Sequence, residues 1–435
     1  MITNKISSGI NGIIKIPGDK SISHRSIIIP SISKGISEIK NILMSDDVMH
    51  TLDAFKSLGV KIINANNKII IHGMGLNSLS KAKKNIYLGN SGTSARLLTG
   101  LLASQPFITT LEGDKSLTSR PMKRIIDPLK IMGAKFDNKS GTLPLKIIGS
   151  KLKSSKIEIE IPSAQIKSGL ILAAINTKGV SNIVERNITR DHTENMIRSF
   201  GANINIKKNG SETSIIINGK QELTSKNIDV PSDLSSSAFF IVAALINEGS
   251  KISMSNININ PTRDGILKAL KKMGANINIK NFRTLSGEIV ADIDVEYSKL
   301  SGCELDAEMA KLMIDEYPIL SVAAAFANGP SLFKGLKELK VKESDRLELI
   351  KLNLNNCGCE CEVINDDLLI KPSKNYKLLD NNIRTDFDHR IAMAFTVMGS
   401  KIGGLFIEDA ESINTSFPNF INIFNNAGGN ILWRK

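Results

Sequence analysis

The sequence predicts an α/β protein of repeated βαβαββ units (α+β repeats), three in each of two similar domains. A chain of 435 residues is too long for one ordinary hydrophobic core, so two domains are expected. Units that alternate helices and strands build sheets covered by helices. A glycine at a helix end, followed by a short strand, recurs six times at spacings of 68 to 84 residues, at Gly59, Gly133, Gly201, Gly274, Gly358 and Gly428.

The first unit shows the elements in order. "GIIKI" from residue 12 predicts a strand, "ISHRSIIIPSISKG" predicts a helix that closes on Gly35, and "SEIKNI" predicts a second strand. "DVMHTLDAFKSLG" predicts a second helix. "VKIIN" and "KIIIHG" then predict a hairpin that turns at residues 64–67.

The two helices of each unit differ in character. The first is apolar nearly all round, which predicts burial. These helices begin at "GDKSISHR", "GNSGTSAR", "PSAQIKSG", "PSDLSSSA", "DEYPILSV" and "FDHRIAMA". The second helices begin at "MSDDVMH", "LTSRPMK", "ITRDHTE", "NPTRDGI", "VKESDRL" and "NTSFPNF". "NIDVPSD", at residues 227–233, predicts a hinge between the two halves.

The charge of the chain favours an anionic partner, although a coding bias toward lysine would also produce it. Lys and Arg number 56 against 43 Asp and Glu, a net charge of +13. The stretch "GDKS" is not a P-loop, because Asp19 separates Gly18 from Lys20 and would repel a phosphate. Asp19 is expected to be a turn or capping residue.

Cations gather at helix starts, where the helix dipole disfavours positive charge. Ser, Thr and Asp at these positions are explained as N-caps. Capping does not explain the cations, which are Lys20, Arg25, Arg96, Arg120, Arg190 and Arg346. We therefore expect something negative to bind among them.

Other functional classes are less well supported. No apolar run approaches the roughly 18 residues of a membrane span, and the N-terminus lacks an apolar signal core, so a cytoplasmic protein is expected. "CGCEC" at residues 357–361 has no second Cys/His pair at ligand spacing, which favours alternating, reduced thiols on a strand over a metal site. His24 and His389 have no Ser or Cys nucleophile at a recognised spacing and are expected to be structural or to support other site residues.

Eight motifs, in order along essentially the whole chain, resemble those of the 5-enolpyruvylshikimate-3-phosphate synthase family (3-phosphoshikimate 1-carboxyvinyltransferases). They are "GDKSISHR", "LGNSGTSARLL", "GDKSLTSRPM", "PSAQIKSGL", "TRDHTENM", "DEYPIL", "KVKESDRL" and "DHRIAMAF". The resemblance implies transfer of the enolpyruvyl group of phosphoenolpyruvate to the 5-hydroxyl of shikimate 3-phosphate, with release of phosphate. This is a step of the shikimate pathway toward chorismate and the aromatic amino acids, and a glyphosate target.

The resemblance also implies a domain organisation. The expected fold is the inside-out α/β barrel of the enolpyruvyltransferases, with one domain at residues 19–228 and the other at residues 1–18 plus 229–435. The first strand would then belong with the C-terminal half, and the active site would lie in the interdomain cleft. No cofactor, no metal, no nucleic acid and no membrane partner are expected, and the protein is expected to be a monomer.

Site residues carry over motif by motif. Shikimate 3-phosphate would bind Lys20, Ser21, Arg25, Ser163, Ala164, Gln165, Arg190, Asp315 and Lys342. Phosphoenolpyruvate would bind Lys20, Gly92, Arg120, Gln165, Arg346 and Arg390, because arginine grips carboxylate and phosphate with two hydrogen bonds. The implied catalytic groups are Asp315 as base on the hydroxyl, Glu343 for protons at C3, and Lys20 as donor to the departing phosphate.

Several of these residues have structural alternatives. Asp315 alone would be read as the N-cap of a helix with Pro318 in its first turn. Glu343 and Arg346 would form an ordinary surface pair. Asp388 would cap a helix start whose Arg390 is solvated.

The sequence departs from part of the family and leaves two rivals. Ser416 stands in a stretch where many members carry a lysine that touches phosphoenolpyruvate. In this the chain resembles a second branch of the family, which lacks that lysine and includes glyphosate-insensitive members. Gly92 leaves room where some insensitive members have alanine, so the herbicide response stays open. The rivals are a UDP-N-acetylglucosamine enolpyruvyltransferase, whose loop cysteine is missing from "EGDKSLTSRP", and a basic nucleic-acid-binding repeat protein, for which no basic-aromatic motif is present.

Overall fold

The computed structural model describes residues 1–65, 68–210, 212–373 and 375–433. The elements of the first half are, in order, β1 (Ile2–Thr3), β2 (Asn11–Ile13), α1 (Lys20–Ser31), β3 (Lys34–Lys40), α2 (Asp46–Ser57), β4 (Lys61–Ala65), β5 (Lys68–Met74), β6 (Ile86–Tyr87), α3 (Gly92–Ala103), β7 (Ile108–Glu112), α4 (Lys115–Ser119), α5 (Lys123–Ile131), β8 (Lys135–Asp137), β9 (Leu145–Ile148), β10 (Lys156–Ile159), α6 (Ala164–Ile175), β11 (Val180–Glu185), α7 (His192–Ser199), β12 (Ile204–Asn209), β13 (Glu212–Asn218) and β14 (Ile228–Asp229).

The second half continues the alternation. Its elements are α8 (Leu234–Ile246), β15 (Lys251–Asn258), α9 (Gly265–Lys272), β16 (Ile277–Leu285), β17 (Glu288–Glu296), β18 (Glu304–Leu305), α10 (Ala307–Met313), α11 (Tyr317–Ala325), β19 (Ser331–Phe333), α12 (Arg346–Asn356), β20 (Glu360–Ile364), β21 (Asp367–Lys371), β22 (Asn382–Ile383), α13 (His389–Ile402), β23 (Phe406–Ile407), α14 (Phe420–Asn426) and β24 (Ile431–Leu432). Short 3₁₀ turns cover Ile314–Glu316, Lys337–Val341 and Ala410–Thr415.

Within the described residues the strands form six four-stranded sheets of one pattern. Each sheet has one parallel pair of strands at one end, and five of the six have two antiparallel pairings after it. In the sheet of β2, strand β15 also pairs antiparallel with β17. The orders are β14-β3-β5-β4, β6-β7-β9-β8, β10-β11-β13-β12, β16-β17-β15-β2, β18-β19-β21-β20 and β22-β23-β1-β24.

Three strands lie far from their sheets in sequence. The first repeat does not form its sheet with its own first strand, because β2 pairs in parallel with β15 of the fourth repeat. The place of β2 in the first sheet is taken by β14, which pairs with β3. Strand β1 completes the sixth sheet between β23 and β24. The first and fourth repeats thus exchange strands: β2, from the start of the first, pairs in the sheet of the fourth, and β14, which precedes the fourth, pairs in the sheet of the first.

The chain divides into two compact units, each with its own hydrophobic core. The terminal unit comprises Met1–Asp19, Ser232–Thr284 and Ile289–Lys435, and the central unit comprises Lys20–Pro231 with Leu285–Glu288. Asp19 lies in the terminal unit, where its carboxylate pairs with Arg263. Residues 229–231 lie in the central unit, and Asp229 is the last residue of β14. Each unit contains three of the six sheets.

The six apolar helices that open the repeats are buried, as their composition predicts. Every residue of α8 is buried, and α11 is likewise buried over its whole length. Polar caps start several of them: Ser91 accepts from the amide of Ser94, and Asp233 accepts from that of Ser235. None of the helices in the described ranges has the length and apolar content of a bilayer span.

The bounds of α1 and of the following hairpin differ from those predicted for the first repeat. Helix α1 ends at Ser31 rather than closing on Gly35, because Lys34 and Gly35 already pair with β5 as part of β3. Gly35 has φ of 114°, which suits glycine in this strand. Of the residues 64–67 predicted to form the hairpin turn, 64 and 65 belong to β4, and 66 and 67 lie outside the described part of the chain.

Candidate active site

The buried helices of the central unit approach one another closely. A Cβ on Gly100 of α3 would lie 1.9 Å from the carbonyl oxygen of Gly169 in α6, so only glycine allows this crossing. The starts of the same two helices are also joined, because the Gln165 amide donates to Thr93 Oγ1 at 3.0 Å. Close crossing thus brings the polar N-termini of α3 and α6 together.

Lys20 and Arg25 on α1 join this group. Lys20 Nζ lies 2.5 Å from Asp47 Oδ2, and the lysine side chain keeps 21% exposure. Arg25 is buried; its guanidinium donates to the carbonyl of Ser21 and to Ser168 Oγ, each at 2.7 Å, and to Thr193 Oγ1 at 2.6 Å. Arg25 therefore links α1 to the first turns of α6 and α7.

Two arginines flank Gly92, the first residue of α3. A Cβ at this position would lie 2.6 Å from Arg96 Nη1 and 3.2 Å from Arg120 Nη1. Arg120 also donates to the carbonyl of Asn90 at 3.3 Å and to Ser116 Oγ at 3.1 Å. A helix N-terminus with two arginine side chains beside it has the chemistry of a carboxylate or phosphate site.

The remaining predicted residues of the central unit lie at helix starts. Ser163 caps α6 by accepting from the amide of Ile166, and Ala164 is the first residue of that helix. Arg190 is half-buried in the segment that leads into α7. Every central-unit residue of the predicted site therefore lies at or near the N-terminus of α1, α3, α6 or α7. Arg120 belongs to none of these helices but lies beside the start of α3.

In the terminal unit, Arg346 is surrounded by three carboxylates. Its guanidinium donates to Asp388 Oδ2 at 2.8 Å, to Glu343 Oε2 at 2.6 Å and to Asp315 Oδ1 at 3.3 Å. Burial alone would lower the pKa of Arg346, but Asp388, Glu343 and Asp315 outweigh it and raise that pKa. Lys342 Nζ lies 3.6 Å from Asp315 Oδ1, so two cations face this carboxylate.

Arg390 completes the terminal-unit group. It donates to Ser235 Oγ at 2.6 Å and to the carbonyl of Asp315 at 3.0 Å, and its Nη1 lies 3.8 Å from Glu316 Oε1. Asp388 caps α13 by accepting from the amide of Arg390 at 2.9 Å. Burial would raise the pKa of Asp388, but Arg346 and its hydrogen bond hold that pKa below its usual value.

The three structural alternatives are wrong in whole or in part. Asp315 is not the N-cap of α11, since Glu316 has that position and Asp315 lies in the preceding 3₁₀ turn. The pair of Glu343 and Arg346 is not a surface pair, because the Arg346 side chain is only 1% exposed. Asp388 does cap its helix, but Arg390 is 14% exposed rather than solvated.

Asp19 immediately precedes α1, where a turn or capping residue was expected, and it also pairs with a buried arginine. It is fully buried and accepts from Arg263 Nη1 at 2.6 Å, and Arg263 Nη2 lies 3.4 Å from Asp233 Oδ1. Arg263 therefore ties the segment before α1 to the segment before α8. Arg263, the arginine near the start of the second helix in the fourth repeat, thus forms buried ion pairs with Asp19 and Asp233.

The histidines and cysteines lie in packed surroundings. His24 Nδ1 contacts Thr51 Oγ1 at 2.7 Å, and burial, with Lys20 and Arg25 nearby, holds the pKa of His24 well below its ordinary value. Burial raises the pKa of Cys357 to about 12, so the thiol stays protonated. Among the residues that the structure describes, no group of three His, Cys, Asp or Glu side chains is arranged to hold a metal ion.

Several contacting residues were missed by reasoning from sequence. Asp47, Ser168, Thr193 and Ser235 each hold a predicted site cation, at separations of 27 to 168 residues. Ser168 and Thr193 fall inside the motifs "PSAQIKSGL" and "TRDHTENM". Their membership in motifs was a usable signal, but a sequence does not show which distant arginine they meet.

Comparisons with known proteins agree over the whole chain. The family model described as EPSP synthase (3-phosphoshikimate 1-carboxyvinyltransferase) matches residues 4–424. A 3-phosphoshikimate 1-carboxyvinyltransferase from Vesicomyosocius okutanii is 42% identical over 98% of this chain and 97% of its own, and one from Bartonella henselae is 44% identical over 98% and 97%.

Solved structures give the same result. An EPSP synthase from Acinetobacter baumannii superposes with a TM-score of 0.87 at 38% identity, over 98% of both chains. The enolpyruvyl transferase NikO from Streptomyces tendae, at 14% identity and a TM-score of 0.78 over 98% of this chain and 97% of its own, shares the fold. The predicted α/β fold of repeated units is thereby confirmed. The chain belongs to the family of EPSP synthases, the 3-phosphoshikimate 1-carboxyvinyltransferases.

Proposed function

We propose that this protein transfers the enolpyruvyl group of phosphoenolpyruvate to the 5-hydroxyl of shikimate 3-phosphate. The observation that carries the proposal is full-length similarity to relatives named for this reaction. The helix-start cations of the central unit and the carboxylate-rich group around Arg346 supply the kinds of residue that the reaction needs. The products would be 5-enolpyruvylshikimate 3-phosphate and inorganic phosphate.

Shikimate 3-phosphate binding is assigned to Lys20, Ser21, Arg25, Ser163, Ala164, Gln165, Arg190, Asp315 and Lys342. The N-termini of α1 and α6 offer amide groups and positive dipole ends to its phosphate and carboxylate. Arg25 supports the proposal because its hydrogen bonds to the Ser21 carbonyl and to Ser168 fix the start of α1 relative to α6.

Phosphoenolpyruvate binding is assigned to Lys20, Gly92, Arg120, Gln165, Arg346 and Arg390. Gly92 supports this because its missing Cβ leaves the first turn of α3 open beside Arg120 and Arg96. Arg346 already contacts three carboxylates, so a carboxylate ligand would take the place of one of them. Of the three carboxylates, Asp315 has the longest closest contact with Arg346, at 3.3 Å, and is the one that we expect to be exchanged.

Proton transfer is assigned to Asp315, Glu343 and Lys20. Asp315 would accept the hydroxyl proton as the oxygen attacks C2 of phosphoenolpyruvate, and Lys342 would hold that carboxylate in place. Glu343 would deliver a proton to C3 and take one back as the tetrahedral intermediate collapses. Lys20 would protonate the departing phosphate, while the arginines stabilise the negative charge of the intermediate.

The test separates this reaction from that of its nearest rival. Purified protein is mixed with phosphoenolpyruvate and either shikimate 3-phosphate or UDP-N-acetylglucosamine, with a chelator present, and phosphate release is followed. The proposal expects release only with shikimate 3-phosphate. Turnover with UDP-N-acetylglucosamine alone would overturn it. A cytoplasmic location, a monomeric state and the lack of nucleic-acid and membrane partners stay predictions.

A further inference from the structure

A lysine that the proposed reaction does not use is buried beneath the central-unit helix starts. Lys167 on α6 has a side chain that is 1% exposed, and its Nζ lies 2.8 Å from Glu194 Oε1 and 3.0 Å from Glu185 Oε1. Both glutamates are also almost fully buried. One ammonium group thus lies between two carboxylates in the interior of the unit.

The third contact of Lys167 is with the backbone beside Arg190. Its Nζ donates to the carbonyl oxygen of Thr189 at 3.0 Å, and Thr189 Oγ1 donates to Glu185 Oε2 at 2.7 Å. Thr189 immediately precedes Arg190, and Glu194 lies in the first turn of α7. Lys167 therefore holds both ends of the short segment that carries Arg190.

The neighbouring residue of α6 makes a parallel set of contacts. Ser168 Oγ accepts from Arg25 Nη2 and from Thr193 Oγ1, each at 2.7 Å. Lys167 and Ser168 thus connect one turn of α6 to two of the cations assigned to the substrate. Ser168 reaches Arg25 directly, whereas Lys167 reaches Arg190 through the backbone.

Stability alone does not account for this arrangement. Two carboxylates share one ammonium group, and a buried ion cluster of this kind is often no more stable than apolar residues of similar volume. Burial raises the pKa of Glu194 despite the opposing effect of Lys167. Burial alone would lower the pKa of Lys167, but Glu194 and Glu185 raise it, so the ammonium form persists.

We propose that Lys167 is a positioning residue for the phosphate group of shikimate 3-phosphate. By holding the Thr189 carbonyl and the first turn of α7, it fixes the backbone from which Arg190 extends. The inference rests on the proposed function, in which Arg190 binds that substrate. It concerns one substrate only, since phosphoenolpyruvate is assigned to other residues.

The test uses a variant that removes the anchor but leaves no buried charge unpaired. Lys167→Met with Glu185→Gln and Glu194→Gln is neutral and similar in shape. We expect its KM for shikimate 3-phosphate to rise about tenfold, as for a modest misplacement of a binding group, with kcat and the KM for phosphoenolpyruvate changed less than about twofold. Calorimetric binding of shikimate 3-phosphate should weaken by the same factor.

Two further variants complete the comparison. Lys167→Arg keeps a charged donor and should bring the KM closer to the wild-type value than the triple variant does. The exposed pair Lys146 and Asp137, 3.2 Å apart in the same unit, gives the matched control Lys146→Met with Asp137→Asn, which should leave all constants unchanged. If the triple variant does not fold, Lys167→Gln with Glu185→Gln and Glu194→Gln tests the same anchor, because it removes the ammonium group, fills the site with amides that can bond to one another and leaves no buried charge unpaired.

The outcomes are distinct. A folded variant with a wild-type KM for shikimate 3-phosphate would overturn the inference, and so would equal losses for both substrates, which indicate a general packing role. Failure of the wild-type protein to turn over shikimate 3-phosphate would instead overturn the proposed function.

Discussion

Arg346 and the carboxylates around it define the chemistry of the terminal unit. Asp315, Glu343 and Asp388 all contact its guanidinium, and Lys342 also lies near Asp315. A carboxylate that faces two cations and keeps 17% exposure is held in place yet partly accessible to a substrate. This geometry supports Asp315 as the group that moves a proton.

Asp315→Ala is expected to lose turnover while it still binds both ligands, shikimate 3-phosphate being held by its other assigned residues. Removal of a general base costs about a hundredfold to ten-thousandfold in kcat, whereas the arginines assigned to phosphoenolpyruvate stay in place. Steady-state kinetics with calorimetric binding of both substrates would check this. A variant with near-wild-type kcat would remove Asp315 from the mechanism.

His24 gives a pH dependence of stability whose sign follows from its pKa. Burial and the nearby Lys20 and Arg25 lower that pKa in the folded state below the ordinary value of 6.5. Below pH 6.5 the unfolded chain binds a proton that the folded chain does not. The His24 contribution to the free energy of unfolding should therefore fall by up to about 1.4 kcal/mol per pH unit as the pH decreases from 6.5 toward the folded pKa.

The measurement compares urea denaturation of the wild-type protein and His24→Gln between neutral and mildly acidic pH. The variant should show a weaker decline in its unfolding midpoint below pH 6.5, because its side chain does not titrate. Identical slopes for the two proteins would show that His24 is protonated equally in the folded and unfolded states.

Gly92→Ala tests the assignment of the α3 N-terminus to phosphoenolpyruvate. The new Cβ would lie 2.6 Å from Arg96 Nη1 and 3.2 Å from Arg120 Nη1, and these flexible side-chain ends would have to move. We expect a KM for phosphoenolpyruvate raised about tenfold, as for a binding group displaced by less than 1 Å. The KM for shikimate 3-phosphate and the urea midpoint serve as internal controls, and a selective rise in the former would contradict the assignment.

Local sequence signals were enough to predict residues whose role is local. Asp388 and Ser163 were read as helix-start residues, and both cap their helices. Asp315 was misread as a capping residue, and the ion pair of Asp19 was not predicted, because their charged partners, Arg346 and Arg263, lie 31 and 244 residues away. A short polar side chain before a helix looks the same in a sequence whether it caps the helix or pairs with a buried arginine.

At the scale of elements, the crossing of α3 and α6 brings two helix starts together. Gly100 faces the backbone of Gly169, and Gly169 in turn faces the carbonyl of Arg96, from which an added Cβ would be 2.7 Å away. Neither neighbour is a side chain that can rotate aside. The two glycines therefore set the distance at which Gln165 reaches Thr93.

Gly100→Ala is expected to destabilise the central unit strongly. The intrinsic helix propensity of alanine would contribute about 1 kcal/mol in favour of the variant. A Cβ placed 1.9 Å from a carbonyl oxygen forces backbone movement, whose cost of about 3 kcal/mol or more is greater. Gly169→Ala, with its contact at 2.7 Å, should be less damaging in urea denaturation. A stabilised Gly100→Ala would show that the helices are further apart.

The sequence predicted the elements better than their pairing. The helix starts could be predicted because apolar runs, capping residues and glycines are local features of the sequence. The pairing of β2 with β15, which joins residues 11–13 to residues 251–253, carries no local signal. Only the family resemblance implied that the first strand belongs with the C-terminal half, and it did not specify the partner strand.

At the scale of the whole molecule, the repeat explains both the fold and the distribution of charge. Each repeat buries one apolar helix and presents its polar N-terminus, so repetition multiplies helix starts that suit anions. Substrates that carry phosphate and carboxylate groups match such a surface. Composition alone predicted an anionic partner but not its identity, which came from eight motifs and the full-length similarity to named relatives.

The central claim is tested most directly by following the carbon skeleton of phosphoenolpyruvate. The protein is incubated with shikimate 3-phosphate and with phosphoenolpyruvate labelled by a heavy carbon isotope at C2, and the product is examined by carbon NMR and mass spectrometry. We predict an enol ether in which the labelled carbon is bonded to the 5-oxygen of shikimate 3-phosphate, with one phosphate released per ether formed. Labelled pyruvate as the sole product, with shikimate 3-phosphate recovered unchanged, would contradict the account.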